Sequence, residues 1–71
     1  MTRDRVVAVV ERVAGGGEAE AALREFDSIQ LVELVVSIEE EFGLEIPDES
    51  LNDAMFRSVD ALADAVARLG G

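Results

Sequence analysis

Seventy-one residues suffice for one domain at most, and a chain this short buries only about 60% of the surface its unfolded form exposes, which leaves no room for a deep cleft. Cysteine, histidine and lysine are all absent, so disulfides, Cys/His zinc sites and histidine-assisted nucleophiles are excluded, and any chemistry must run on carboxylates, hydroxyls and arginines. Sixteen acids against six arginines give a net charge of −10, a field that repels nucleic acid and anionic membranes and draws in basic partners.

The charge is unevenly placed. No base stands between Arg24 and Arg57, where Glu25, Asp27, Glu33, Glu39, Glu40, Glu41, Glu45, Asp48, Glu49 and Asp53 lie. The six remaining acids are matched by the six arginines, so the whole excess belongs to the central segment. Taken alone, such a run reads as a solvated face that keeps a small protein in solution. No apolar stretch approaches the ~20 residues of a membrane span, and no signal-peptide pattern opens the chain. The expectation is one domain over residues 1–71, soluble, cytoplasmic and monomeric.

The first segment, "TRDRVVAVVERVAGGG", places Val6, Val9, Val10 and Val13 at helical spacing, with Thr2 able to cap it and Gly15 to Gly17 to end it. Its valines favour strands, but the later helical segments offer no strand partner, so a helix is expected. Residues 15–27 read as a connection with a short helical turn across "EAEAALREF".

A second helix is predicted from about Asp27 to Phe42, stopped by Gly43. Leu31, Leu34, Val35, Ile38 and Phe42 form its core seam. Ile29, Val32 and Val36 make a second apolar stripe on a neighbouring face, either buried by the first helix or left open for a partner; burial is the default. "GLEIPDES" follows as a loop in which Pro47 holds Ile46 extended, and a short helical piece is expected around "SLNDAMF" with Ser50 as its cap. The last helix starts at Ser58, has Asp60 in its first turn, and buries Val59, Leu62, Val66 and Leu69 before Gly70 ends it. Together these make an all-α fold: a small four-helix bundle of three main helices and one short one.

The start of the second helix carries the chemistry. Asp27 followed three residues later by Gln30 is a D-x-x-Q variant of the capping box. If Asp27 caps, Ser28 is the first helical residue, its hydroxyl is not needed by the backbone, and a phosphate ester on it would sit at the positive end of the helix dipole. If Ser28 caps instead, it is only a helix-starting serine. Catalysis by Ser28 lacks a base, and Glu39, Glu40 and Glu41 point in different directions on a helix, so neither a nucleophile nor a metal site is expected.

"DSIQLVELVVSIEEEFGLEIPDE", Asp27 to Glu49, resembles the acyl carrier proteins: Asp-Ser, then Val32-Glu33-Leu34, Glu39-Glu40, Phe42 and Ile46-Pro47 stand at the family's offsets. The tail "FRSVDALADAVARL" is similar as well, so the likeness covers about two thirds of the chain. It implies a four-helix carrier fold and a 4′-phosphopantetheine arm, donated from coenzyme A by a separate phosphopantetheinyl transferase to Ser28 beside Asp27. The arm's thiol would hold acyl or aminoacyl groups as thioesters for delivery to enzymes of fatty-acid, polyketide or peptide-type biosynthesis, with no catalysis by the carrier itself. This would supply the sulfur that the chain lacks. The resemblance also turns the acidic face into a docking surface for basic patches on loading and accepting enzymes, with Ile29, Val32 and Val36 at its apolar centre and Glu33 and Glu40 as its acids. Glu25 stands where the family has glycine, Phe26 directly precedes Asp27, and the chain before Ser28 is short, as in stand-alone carriers of specialised pathways. The alternative is a non-carrier acidic helical module that docks a basic partner through the same helix with Ser28 unmodified.

Overall fold

The computed structural model describes residues 2–70, and among these the chain forms four α-helices and no strand. α1 spans Thr2–Ala14, α2 Ala19–Glu25, α3 Ser28–Phe42 and α4 Val59–Arg68, with a 3₁₀ turn at Asp48–Ser50 between α3 and α4. The first helix forms despite its valines because Val6, Val9 and Val10 fall on one face and are completely or almost completely buried. Burial outweighs the few tenths of a kcal/mol by which a β-branched residue disfavours a helix. Thr2 is the first residue of α1 rather than the residue capping it from outside.

α1 is the axis of the molecule, packing on α2, α3 and α4. Val6, Val9 and Val10 from α1 meet Leu23 of α2, Leu34 and Ile38 of α3, and Val59, Leu62 and Val66 of α4 in one continuous core. Val13, Leu31, Val35, Phe42, Phe56 and Leu69 close its edges.

Two elements differ from the sequence expectation. The stretch read as a connection with one helical turn is a true seven-residue helix, α2, whose Glu18 side chain accepts the Ala21 N–H at 2.9 Å. Its inner face consists of Ala19 and Leu23, one turn apart, which is too little for hydrophobic periodicity to register. Conversely, "SLNDAMF" does not form a helix and Ser50 does not cap one: Ser50 closes the 3₁₀ turn, and residues 51–57 run in turns. Asn52 explains this, because both its Oδ1 and its carbonyl accept the Met55 N–H at 3.1 Å, an alternative to helical bonding. The bundle therefore has three main helices and one short one as expected, with the short one before α3 instead of after it.

The ends of α3 are held from elsewhere in the chain. Gly43 stops it in the left-handed region (φ 65°), a conformation that costs a side-chain-bearing residue about 1–2 kcal/mol. Arg5 of α1 then reaches the Glu41 carbonyl at 2.7 Å, pairs with the Glu41 carboxylate at 3.3 Å, and stacks 4.4 Å over the Phe42 ring. Glu39 turns back to accept the Ile46 N–H at 2.8 Å and so fixes the loop that follows.

Candidate functional site

The site begins at the link between α2 and α3, which is two residues long. Phe26 ends α2 with its N–H directed at the Leu23 carbonyl, and its ring packs against the core. Phe26 and Leu31 occupy the positions before and after the cap at which a hydrophobic staple sets the entry angle of a helix, and both pack on the core. Between them Asp27 is the N-cap. Its Oδ1 accepts the Gln30 N–H at 2.8 Å while Gln30 Oε1 accepts the Asp27 N–H at 3.3 Å, a complete capping box.

With Asp27 in that role, the alternative in which Ser28 caps is excluded. Ser28 is the first residue of α3, exposed, and its hydroxyl enters no hydrogen bond among the described residues. The other serines, Ser37, Ser50 and Ser58, are half-buried, and Ser58 is committed to capping α4. The Ser28 and Ile29 amides belong to the first turn, where no intrahelical carbonyl reaches them. An exposed hydroxyl beside two free N–H groups at the positive end of a 15-residue helix fits a phosphodiester on chemical grounds.

The outward face of α3 runs on from there. Ile29 is 71% exposed, Val32 63% and Val36 46%, so the default expectation of burial under the first helix is overturned. The cause is the architecture: α2 and α4 pack on α1, and α1 takes the side of α3 that bears Leu34 and Ile38. Among the described residues no helix covers the other flank. Glu33 and Glu40 lie on the same outward side, are exposed, and form no ion pair among the described residues. They contrast with Glu39 and Glu41, whose carboxylates are spent on Ile46 and Arg5. Of the three consecutive glutamates, therefore, only Glu40 is free to face a partner.

One turn beyond Ser28 an apolar groove of about 240 Å³ opens between α3 and the segment after the 3₁₀ turn. Leu31, Val32, Val35 and Val36 form one wall, Leu51 and Phe56 the other. Leu51 and Phe56 were not among the residues expected at the site. Their sequence neighbours suggested a helix core, and nothing local indicates that the strand-like turn at Leu51 (φ −84°, ψ 91°) brings them opposite α3.

Among the described residues no helix is long and apolar enough to cross a membrane. No solved structure matches the chain. The acyl carrier protein of Zymomonas mobilis subsp. mobilis is 44% identical over 41 residues, 58% of this chain and 46% of that protein, so the chain spans about half the length of this curated relative. A family model described as a phosphopantetheine attachment site matches residues 4–66, from the first turn of α1 into α4. That match takes in most of the chain and every element of the site, and the protein belongs to this family of acyl-carrier-type domains, whose members hold 4′-phosphopantetheine covalently.

Proposed function

We propose that the protein is a carrier whose Ser28 oxygen forms the phosphodiester to 4′-phosphopantetheine, and which delivers thioester-bound acyl or aminoacyl groups to the enzymes of a biosynthetic pathway. When bound, the arm supplies a thiol to a chain that has no cysteine. The observation that carries this reading is the division of labour at the helix start: Asp27 satisfies the backbone, and Ser28 is left exposed with a free hydroxyl. A serine kept only for capping would be bonded as Ser58 is, whose Oγ accepts the Ala61 N–H at 3.0 Å.

The chain's own residues perform three tasks in this reading. Asp27 and Gln30 hold the first turn of α3 formed, so the hydroxyl is presented on a rigid element. The free amides of that turn favour the phosphodiester's negative charge. Ile29, Val32 and Val36 provide an apolar centre for docking, with Glu33 and Glu40 at its rim setting the rate of encounter with basic surfaces on a phosphopantetheinyl transferase and on the loading and accepting enzymes.

Incubating the purified protein with coenzyme A, magnesium and a broad-specificity phosphopantetheinyl transferase tests the assignment by intact mass. One arm per chain is expected on the wild type and none on Ser28→Ala. Failure of the folded wild type to gain an arm would favour the plain acidic docking module instead.

A further inference from the structure

The start of α4 is capped twice, from two different places. Ser58 caps it locally through the Ala61 N–H. The Val59 N–H is met instead by Glu20 of α2, whose Oε1 accepts it at 2.6 Å across 39 positions of sequence. Val59 is 0% exposed, so water cannot replace Glu20 at this amide. A buried N–H without a partner costs more than an ordinary hydrogen bond contributes, so seating of the α4 start depends on Glu20 staying in place.

One arginine pairs with Glu20 at this position. Arg24, one turn along α2, lies 3.7 Å from its second oxygen. Arg3 of α1 is bonded instead to Asp60 of α4 at 2.5 Å, and this hydrogen bond and the Asp60 charge, with smaller contributions from Asp4 and Glu20, raise its guanidinium above the ordinary value. Glu11 and Glu18 line the same crevice between α1, α2 and the α4 start.

What precedes Val59 is the least regular part of the chain. Residues 51–57 make only turn hydrogen bonds, Leu51 to Asp48, Met55 to Asn52 and Arg57 to Ala54, and of them only Met55 is buried. This segment supplies Leu51 and Phe56, the far wall of the groove on α3. Glutamates from other helices hold the chain on either side of it: Glu39 at Ile46, before the 3₁₀ turn, and Glu20 at Val59, just after the segment.

We propose that Glu20 is the latch of a strap formed by residues 51–58, and that its bond to Val59 keeps Leu51 and Phe56 against α3. Release of Glu20 forces the Val59 amide toward water, lifts the start of α4 and opens the groove, while α3 stays seated on α1. The proposal concerns the strap alone and holds whether or not Ser28 carries an arm.

Backbone amide hydrogen exchange followed by NMR tests it on the full chain. In Glu20→Ala the Val59 amide should exchange about tenfold faster or more, the effect of losing a cap, and the Met55 and Arg57 amides should accelerate with it. Leu34 and Ile38 in α3 should keep their wild-type rates. Glu20→Gln retains an acceptor oxygen and should restore most of the protection. If the alanine variant does not fold, Glu20→Asp, one methylene too short to reach, carries the same comparison. Wild-type exchange at Val59 would overturn the proposal. So would acceleration confined to Val59, which makes Glu20 a cap without a strap, or equal acceleration at Leu34 and Ile38, which makes it a general stabiliser.

Discussion

Asp27 and Ser28 are neighbours with opposite duties, and their substitutions should separate cleanly. Asp27→Ala removes the acceptor of the Gln30 amide and should lower stability by about 1 kcal/mol in urea unfolding, with the loss concentrated in the first turn of α3. Ser28→Ala removes a hydroxyl with no bond to lose and should change stability by less than about 0.5 kcal/mol. A large loss at Ser28 together with none at Asp27 would reverse their roles. This pair was readable in the sequence because a capping box is a local device: both partners lie within four residues, and residue type nearly determines the geometry. The residue before it was less readable. Glu25 stands where the resemblance leads one to expect glycine, and only the core packing of the Phe26 ring shows how a two-residue link without glycine still presents Ser28 at the surface.

α3 carries the outward apolar face that the proposed function uses for docking. Its inner seam of Leu34 and Ile38, with Leu31, Val35 and Phe42 at the margins, follows from helical periodicity and was expected. The fate of Ile29, Val32 and Val36 was not, because it depends on which helix occupies the neighbouring flank, and no short window of sequence records that α2 and α4 both choose α1. The same difficulty hid the groove wall at Leu51 and Phe56. If the outward face docks a basic partner, reversing charge at Glu33 and Glu40 together should slow association about tenfold at low salt and flatten its salt dependence, as read by stopped-flow or surface binding at several ionic strengths. Kinetics equal to wild type would return both glutamates to the role of a solvated face. The same reversal at Glu41 should behave differently: it breaks the pair with Arg5, and its effect should appear in stability.

At the scale of the molecule, one valine-rich helix organises a small core around itself, and several side chains from distant positions finish the helix ends. Arg5 at the end of α3, Glu39 at the following loop and Glu20 at the start of α4 are such ties. The first and last span 36 and 39 positions, separations at which sequence carries no pattern to read, so the four-helix class was legible and the ties were not. A core this small has little reserve. Leu34→Ala, at a fully buried site where α3 meets α1, should cost about 2–5 kcal/mol, which is most of what a domain of this size has, and thermal unfolding should show it as a loss of cooperative melting near ambient temperature.

The most direct test of Ser28 as the attachment point is where the arm goes. After transferase treatment with coenzyme A, proteolysis and tandem mass spectrometry should place the arm on the peptide containing Ser28 alone, the one exposed serine, with Ser37, Ser50 and Ser58 unmodified. An arm on any of those three, or one that persists in Ser28→Ala, would contradict it.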